Sequence, residues 1–271
     1  MTSKDSSTNK QSLSILDLQA MKQTGEKIAC LTAYDASFAA ILDQAGIDLI
    51  LVGDSLGMVV QGKESTVPVT VDEMVYHSQC VTSARENAFV VVDLPFMSYP
   101  TPEIAAENAA KLMQQGMAQM VKLEGAKPEI IAFLVAQSIP VCAHLGLLPQ
   151  SINQLGGYRV QGREKNSADK ILADAIQLEQ AGASLLILEC IPAKLAKKIT
   201  NQLQIPVIGI GAGVDCDGQV LVIYDMLDIG VSRRPRFSKN YLKGAADISE
   251  AISQYIAEVK QRQFPTSEHS Y

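Results

Sequence analysis

Four acidic side chains stand where short apolar runs of the sequence end. Asp54 follows LILVG, Asp93 follows FVVV, Glu124 follows MVKL, and Glu189 follows SLLIL. Each acid alone could begin a helix as its N-cap, but Glu is a poor N-cap. Carboxylates gathered in a partly buried pocket repel one another and must be paired to offset their desolvation. Lys122 is the only obvious cation nearby in the sequence, so the pattern predicts a bound divalent metal ion.

The oxygen atoms of such acids favour a hard ion, magnesium or manganese, over zinc. Magnesium keeps waters and substrate oxygens beside one or two carboxylates, which leaves another acid free for proton transfer. The site suits a 2-oxo acid, because its carboxylate and keto oxygens can chelate the ion. The ion then stabilises the enolate that forms when the neighbouring carbon loses a proton. Lys122 lies two positions before Glu124, so both side chains should point to the same face of the strand. There Lys122 could hold the substrate's negative charge. The alternative is a simple salt bridge to one of the acids.

The elements that position these acids are predicted from apolar periodicity. Short apolar runs alternate with longer amphipathic segments, which is typical of repeated strand and helix units. We predict eight strands, at residues 27–34, 48–53, 88–94, 119–124, 139–145, 184–190, 205–210 and 219–224. Their nearly continuous apolar character favours an α/β fold with a parallel sheet, and their number favours a closed (β/α)8 TIM barrel over an open doubly wound sheet. The carboxyl ends of barrel strands meet at one mouth, so the four acids should converge there.

Two helix starts have recognisable signals. Thr101 and Pro102 suit the first positions of a helix that ends near Gly116. Thr70 and Glu73 have the spacing of a capping box ahead of another helix. Both segments follow predicted strands, as helical crossovers of a barrel should.

The chain has 271 residues, of which 47% are hydrophobic, and no linker-like change of composition divides it. We therefore predict a single (β/α)8 barrel domain over residues 13–271, preceded by a disordered polar tail at 1–12. Apolar residues recur at helical spacing between Leu242 and Val259, which predicts a C-terminal helix packed on the barrel or, alternatively, on a neighbouring subunit. The glycine cluster at 209–213 follows a late strand and is interpreted as a tight turn, although it could touch phosphate.

The net charge of −6 argues against nucleic acid or an anionic membrane surface as a partner. Arg233, Arg234 and Arg236 are interpreted as part of a solvated loop and are assigned no partner. No apolar stretch approaches the ~20 residues needed to cross a bilayer. The first dozen residues have the character of neither a signal peptide nor a transit peptide, so a cytoplasmic protein is expected.

The cysteines and histidines do not form a metal-binding pattern. Five cysteines are scattered without a C-x-x-C pair and are interpreted as reduced thiols of a cytosolic protein. The three histidines lie far apart and make no H-E-x-x-H motif. A metal site built from His and Cys is therefore not expected.

Ten ordered blocks of the sequence resemble the ketopantoate hydroxymethyltransferase family, and together they span nearly everything after the tail. They are LTAYD (31–35), VGDSLGMVVQG (52–62), STVPVTVDEM (65–74), DLPFMSY (93–99), VKLEG (121–125), HLGLLPQS (144–151), GGYRVQGR (156–163), LLILECIP (185–192), IPVIGIGAG (205–213) and FPTSEHSY (264–271). The resemblance implies a barrel of the phosphoenolpyruvate/pyruvate type and an enzyme (EC 2.1.2.11) of pantothenate biosynthesis. Enzymes of this family transfer the one-carbon unit of 5,10-methylenetetrahydrofolate to 3-methyl-2-oxobutanoate to give 2-dehydropantoate (ketopantoate). They use Mg²⁺ and commonly assemble as homodecamers.

The resemblance also implies a role for each acid. Asp54 and Asp93 would bind the metal ion, and Glu124 would complete its shell directly or through water. Glu189 would be the catalytic proton acceptor. Substrate contacts would fall on Asp54, Ser55, Asp93 and Lys122. Apart from Ser55, the strand-end pattern selects the same residues.

Two further features of the sequence have open interpretations. His144 stands at the fifth strand and could hydrogen-bond the substrate oxygens, or it could be an ordinary structural donor. The loop GGYRVQGR resembles a mobile cover, with flexibility from Gly156 and Gly157 and charge from Arg159 and Arg163, or it is a plain surface loop. The residues that would bind folate are not readable from the sequence.

The sequence leaves two alternative functions open. A carbon-carbon lyase or phosphonomutase of the same barrel superfamily would also use magnesium and a 2-oxo acid. An inactive barrel serving as a metabolite sensor or an assembly scaffold belongs to a different class. A scaffold has no need of unpaired acids at strand ends, which argues against that class.

Overall fold

The computed structural model describes residues 12–157, 159–231 and 233–271 of the chain. Within them, eight parallel strands close into one barrel in the order in which they occur along the sequence. The strands are β1 (Ile28–Thr32), β2 (Leu49–Val52), β3 (Phe89–Asp93), β4 (Met120–Glu124), β5 (Val141–Gly146), β6 (Leu185–Glu189), β7 (Val207–Ile210) and β8 (Gly218–Leu221). Each overlaps a predicted strand, so the predicted (β/α)8 barrel is confirmed. The expected tail at 1–12 lies, apart from Ser12, outside the described residues.

Helices surround the barrel and cover the outer faces of its strands. They are α1 (Ile15–Thr24), α2 (Ala36–Gln44), α3 (Leu56–Val59), α4 (Val71–Thr82), α5 (Pro102–Gln114), α6 (Pro128–Ala136), α7 (Ile152–Leu155), α8 (Lys165–Gln180), α9 (Ala193–Gln202), α10 (Ile223–Leu227) and α11 (Ile248–Lys260). Nearly every strand residue is buried, because one face fills the barrel and the other packs against the helices. No helix among the described residues is long and apolar enough to span a bilayer.

The two predicted helix starts are confirmed. The Thr70 side chain accepts a hydrogen bond from the backbone N–H of Glu73, and the Glu73 side chain accepts one from the backbone N–H of Thr70. The Thr101 side chain accepts from the backbone N–H of Ile104, and Pro102 occupies the first turn. These caps satisfy donors that the first turn leaves free, and they fix where α4 and α5 begin after β2 and β3.

The connection between β7 and β8 departs from the regular pattern. Residues 211–217 join the two strands without a helix, which agrees with the eight residues that separate the two predicted strands. Four residues of β7 span only about 13 Å, and seven residues of chain are long enough to return over that distance. Gly211 and Gly213 adopt φ values of 58° and 88°, and the Gln219 side chain donates a 3.0 Å hydrogen bond to the Gly213 carbonyl oxygen. The tight-turn interpretation of the glycine cluster is thus confirmed.

The last long helix is shorter than predicted. Asp247 caps α11 at its start, so Leu242 and Ala245 lie in the preceding loop, although both still pack against the core. The Tyr255 hydroxyl lies 2.9 Å from the carbonyl oxygens of Cys30 and Gln219 and donates to them. These carbonyls belong to β1 and β8, so α11 packs across the closure of the barrel.

Candidate active site

The four acids of the strand-end pattern lie at one mouth of the barrel. Asp93, Glu124 and Glu189 are the last residues of β3, β4 and β6, and Asp54 follows β2 after one glycine. All four line a single cavity of about 510 Å³, together with Ser55, Lys122 and His144. The structure therefore brings every sequence-predicted site residue together, while the role of each stays a prediction.

Lys122 forms the central ion pair of the cavity. Its ammonium nitrogen lies 2.6 Å from Asp93 Oδ1, and both side chains are about 95% buried, with exposed fractions of 5% and 4%. Burial opposes the charged form of Lys122, but attraction by Asp93, Glu124 and Asp54 outweighs it and raises the lysine pKa. Lys122 therefore stays protonated, and the salt-bridge role is present in the structure.

Asp54 and Glu124 lack a comparable cation. Burial, followed by repulsion from Asp93, raises the pKa of Asp54 to about 7. Burial also raises the pKa of Glu124 well above its usual range, and Asp54 and Asp93 add to the shift against the opposing effect of Lys122. Three buried carboxylates thus share one ammonium group. A cation placed among them would favour their ionised forms.

A residue that the sequence interpretation missed holds two of these acids. The Gln150 side-chain amide donates hydrogen bonds to Asp54 Oδ2 at 2.8 Å and to the Leu94 carbonyl oxygen at 2.9 Å. Its backbone N–H donates to Glu124 Oε2 at 3.0 Å, and the Tyr99 hydroxyl donates to its side-chain oxygen. Gln150 is 5% exposed, so these bonds are shielded from water. A buried amide between two acids fixes which carboxylate oxygens remain free to face the cavity.

His144 lies between Glu124 and Glu189. Its Nδ1 is 3.7 Å from Glu124 Oε1, and its Nε2 is 3.4 Å from Glu189 Oε2. Neither ring nitrogen has a hydrogen-bond partner among the described residues. Burial, assisted by the positive charge of Lys122, lowers the histidine pKa well below its usual value, so the ring is neutral near pH 7. These contacts are therefore not ion pairs, and the ring has capacity for a further hydrogen bond inside the cavity.

Glu189 has the environment of a general base. Burial raises its pKa to about 8, and Asp93 adds a smaller repulsion while Lys122 opposes it. Its side chain is 14% exposed, which leaves it open to the cavity. A carboxylate with a raised pKa is a stronger base than an ordinary one, and it can still be ionised in part near neutral pH.

Ser55 begins the short helix α3 directly after Asp54. Its Oγ is 2.9 Å from the Tyr34 hydroxyl, and the Tyr34 carbonyl oxygen is 2.7 Å from Nδ1 of His77. A Cβ atom at Gly53 would lie 2.8 Å from Ser55 Oγ, so glycine at that position leaves room for the hydroxyl. The Asp-Ser pair is thus positioned by a tight turn at the end of β2.

The outer part of the same cavity is basic. Arg159, Arg233 and Arg236 line it, whereas Arg234 pairs with Asp228 at 3.4 Å. The interpretation of the arginine loop as merely solvated was therefore incomplete, because two of its arginines face the cavity. Arg159 belongs to the loop that was expected to cover the site; Tyr158 of that loop lies outside the described residues.

The donor set fits a hard divalent ion that uses only part of the protein's oxygens. Among the described residues, no group of three or more His, Cys, Asp or Glu side chains is arranged to enclose a metal ion. Magnesium commonly takes one or two carboxylates and completes its shell with water and substrate oxygens. Three buried acids with one ammonium group provide the oxygen atoms and the negative charge for such a site.

Comparison with known proteins identifies relatives over almost the whole chain. The family model described as ketopantoate hydroxymethyltransferase matches residues 12–267. A 3-methyl-2-oxobutanoate hydroxymethyltransferase from Alkalilimnicola ehrlichii is 59% identical over 256 residues, which cover 94% of this chain and 92% of that protein. The protein of the same name from Nitrosococcus oceani is 58% identical over 261 residues, covering 96% of this chain and 99% of the relative.

Solved structures with much lower sequence identity share the fold. A putative phosphonomutase from Burkholderia cenocepacia J2315 superposes with a TM-score of 0.64 at 16% identity, covering 79% of this chain and 94% of that one. A phosphonopyruvate hydrolase, solved in complex with oxalate and Mg²⁺, gives a TM-score of 0.59 at 11% identity, covering 77% and 80% of the two chains. At these identities the likeness supports the barrel fold alone.

Proposed function

Because this chain belongs to the ketopantoate hydroxymethyltransferase family, we propose how the residues of its cavity carry out one-carbon transfer. The chain is a hydroxymethyltransferase (EC 2.1.2.11) of pantothenate biosynthesis and forms ketopantoate from 3-methyl-2-oxobutanoate. The proposal adds the co-substrate, 5,10-methylenetetrahydrofolate, the ion, Mg²⁺, and the roles of individual side chains. The lyase and phosphonomutase alternatives are now supported by the fold alone.

Asp54 and Asp93 would hold Mg²⁺, and Glu124 would complete its shell directly or through water. When bound, the ion would supply Lewis-acid polarisation of the keto group of 3-methyl-2-oxobutanoate, which would make the C3 hydrogen more acidic. The buried charge imbalance supports this assignment, since two of the three acids have raised pKa values without an added cation. The phosphonopyruvate hydrolase of the same fold was solved in complex with oxalate and Mg²⁺.

Lys122 and Ser55 position the substrate. The Lys122 ammonium stays charged beside Asp93 and offers positive charge to the substrate's carboxylate and developing enolate. Ser55 Oγ, held by the Tyr34 hydroxyl at 2.9 Å, supplies a neutral hydrogen bond on the β2 side of the cavity. Neutral His144 supplies a second one between Glu124 and Glu189.

Glu189 removes the C3 proton of 3-methyl-2-oxobutanoate. The single observation that carries this role is the position of Glu189 in the cavity of the other acids, where its mostly buried carboxylate has a pKa raised to about 8 and contacts neutral His144 but no cation among the described residues. The carbanion that results forms a C–C bond to the one-carbon unit, both C–N bonds between that unit and the folate nitrogens break, and one water molecule supplies the hydroxyl oxygen of the product. The proton held by Glu189 and the remaining proton of the water go to the two folate nitrogens, which gives tetrahydrofolate.

Deuterium exchange tests this proposal without folate. The wild-type chain should exchange the C3 hydrogen of 3-methyl-2-oxobutanoate with deuterated solvent when Mg²⁺ is present, and a chelator should stop it. Glu189→Gln should keep Mg²⁺ and keto-acid binding but abolish exchange, whereas the exposed control Glu129→Gln should exchange normally. Undiminished exchange by Glu189→Gln would refute its role as base.

The remaining family properties are also proposals for this chain. Its partners are small-molecule substrates, it assembles as the homodecamer that the resemblance implies, and it is located in the cytoplasm. Light scattering of the purified protein would measure the mass of the assembly, and a mass other than that of ten chains would exclude the decamer. Fractionation of producing cells would test the location.

A further inference from the structure

The proposed mechanism leaves the basic part of the cavity without a role. Arg159, Arg233 and Arg236 line the cavity that also contains the four acids. They come from two separate segments, the loop after α7 and the loop after α10, yet both segments place arginines at one opening. Three guanidinium groups concentrate positive charge at one part of this cavity, although the chain has a net charge of −6 and Asp225 also lines the cavity.

The arginines differ in what they already contact. The exposed Arg159 and Arg233 side chains make no hydrogen bond or ion pair with any other described residue. Arg236 donates from Nε to the Glu268 carbonyl oxygen at 3.1 Å, and its guanidinium lies 5.5 Å from the centre of the Tyr271 ring. Arg236 is therefore held in place, while its terminal nitrogens keep donor capacity. Guanidinium groups match carboxylates with paired hydrogen bonds.

The cavity is too large for the keto acid alone. A volume of about 510 Å³ lies in the range that holds a drug-sized molecule, and 3-methyl-2-oxobutanoate has only five carbons. An apolar wall of the same cavity is formed by Leu147, Ile187, Ile210, Val220, Val222 and Phe237. An elongated ligand with an apolar or aromatic middle and an anionic end would match a cavity that combines this wall with exposed arginines.

We propose that Arg159, Arg233 and Arg236 form a carboxylate subsite that binds the glutamyl tail of the reduced folate, while the apolar wall contacts its rings. The inference rests on the proposed function, because that function supplies a second reactant with an anionic tail. The subsite places the tail at the opening and directs the one-carbon end inward, toward Glu189 and the keto acid. Because the arginines are solvent-exposed, the attraction is screened by salt.

Binding of two folates that differ only in the tail tests the subsite. Isothermal titration would compare tetrahydrofolate with tetrahydropteroate, which lacks the glutamate, for the wild-type chain and the double variant Arg159→Gln/Arg233→Gln. The wild type should bind tetrahydrofolate about tenfold or more tightly than tetrahydropteroate, since charge-assisted hydrogen bonds are the stronger class. The double variant should lose most of this preference through weaker tetrahydrofolate binding. Its affinity for tetrahydropteroate should change little.

A matched control is Arg262→Gln. Arg262 is also exposed, but it bonds the Gly25 carbonyl oxygen ahead of β1, at the opposite end of the barrel. This variant should keep the wild-type preference for tetrahydrofolate. Raising the salt concentration should reduce the wild-type preference and leave the double variant almost unaffected.

Two results would overturn the inference. One is an equal preference for tetrahydrofolate in the wild type and the double variant. The other is a rise in the Kd of 3-methyl-2-oxobutanoate in the double variant with no change for tetrahydrofolate, which would assign the arginines to the keto acid. Deuterium exchange by the wild-type chain, measured in the same buffer, reports separately on the proposed function. Exchange with no tail preference refutes the subsite alone, whereas absence of exchange refutes the proposed mechanism.

Discussion

The side-chain amide of Gln150 donates a 2.8 Å hydrogen bond to Asp54 Oδ2, and through this bond the loop after β5 fixes an acid that follows β2. The backbone N–H of Gln150 also bonds Glu124 Oε2 at 3.0 Å. One buried residue thus sets the orientation of two acids from different strands. Partners of this kind that orient metal ligands typically change metal affinity by about 10–100-fold when they are lost.

Replacing Gln150 with Met should weaken Mg²⁺ binding. Methionine fills a similar volume but cannot donate to Asp54, so the carboxylate loses the partner that holds it. We expect the Kd of Mg²⁺ to rise by about tenfold or more, measured by calorimetry on the chain without substrate. Gln219→Met is the matched control, because Gln219 is also buried but bonds the Gly213 carbonyl oxygen away from the acids. An equal loss of affinity in both variants would assign the effect to general destabilisation.

Replacing Lys122 with Met should destabilise the metal-free protein. The change leaves Asp93 buried without its ammonium partner, and breaking a buried pair typically costs about 3–5 kcal/mol. Urea unfolding at pH 7.5 would measure the loss, and saturating Mg²⁺ should recover part of it by replacing the missing positive charge. Lys170→Met, which removes an exposed pair with Asp174, should cost no more than about 0.5 kcal/mol. Equal costs for the two variants would contradict the assigned importance of the buried pair.

Much of this architecture could be predicted because its signals are local. A buried parallel strand needs a nearly continuous apolar run, and the acid at its end stands next to it in sequence, so the positions of Asp93, Glu124 and Glu189 followed from the pattern. The capping box at Thr70 is equally local, since both partners lie within one turn. The short connection between β7 and β8 was readable too, because the predicted strands left only eight residues between them and a glycine cluster begins that connection.

The missed residues act over long sequence separations. Gln150 reaches Asp54 across 96 positions, and nothing in the sequence around a glutamine indicates which distant carboxylate it will contact. Arg233 and Arg236 face the cavity only because the loop after α10 folds over the barrel mouth. A basic cluster on its own is common on protein surfaces. Its position relative to the acids had to come from the closed barrel.

The rate of deuterium exchange should rise with pH. Glu189 acts as a base only when ionised, and burial raises its pKa to about 8, so most of it is protonated at pH 6. The rate should increase about tenfold per pH unit well below the pKa and level off above it. Bound Mg²⁺ adds positive charge, which favours ionisation, so the midpoint should lie at or below 8. A rate that is constant from pH 5.5 to 9 would exclude Glu189 as the titrating base.

Replacing Tyr255 with Phe should loosen the closure of the barrel. The buried hydroxyl donates to the carbonyl oxygens of Cys30 and Gln219, and its loss leaves them without this donor. We expect the free energy of unfolding to fall by about 1–3 kcal/mol, measured by urea denaturation. Tyr76→Phe is the control, because the Tyr76 side chain is 62% exposed, and it should change stability by no more than about 0.5 kcal/mol. Equal effects would show that α11 does not depend on this hydroxyl.

The metal-free protein should lose stability as the pH rises from 7.0 to 8.5. The pKa of Asp54 is raised to about 7 and that of Glu189 to about 8, so the folded chain retains protons that the unfolded chain has already released. Stability falls with pH wherever the folded state binds more protons. The raised pKa of Glu124 acts in the same direction. His144 has the opposite effect on stability. Its lowered pKa costs stability only near or below pH 6.5, where the unfolded histidine is protonated and the folded one is not, so the tested pH range starts at 7.0.

The raised pKa values of Asp54 and Glu189 imply a loss on the order of 1–2 kcal/mol between pH 7.0 and pH 8.5. Urea unfolding in EDTA at pH 7.0, 7.5, 8.0 and 8.5 would measure it. Saturating Mg²⁺ should stabilise the protein more at pH 8.5 than at pH 7.0, because the ion binds the ionised carboxylates and removes their mutual repulsion. Asp54→Asn should reduce the pH dependence in EDTA, with the Glu189 contribution remaining, and should reduce the stabilisation by Mg²⁺. Equal stability of the metal-free protein at pH 7.0 and pH 8.5 would show that the acids are already ionised at pH 7.0 without the ion. It would refute the raised pKa values that support the Mg²⁺ assignment.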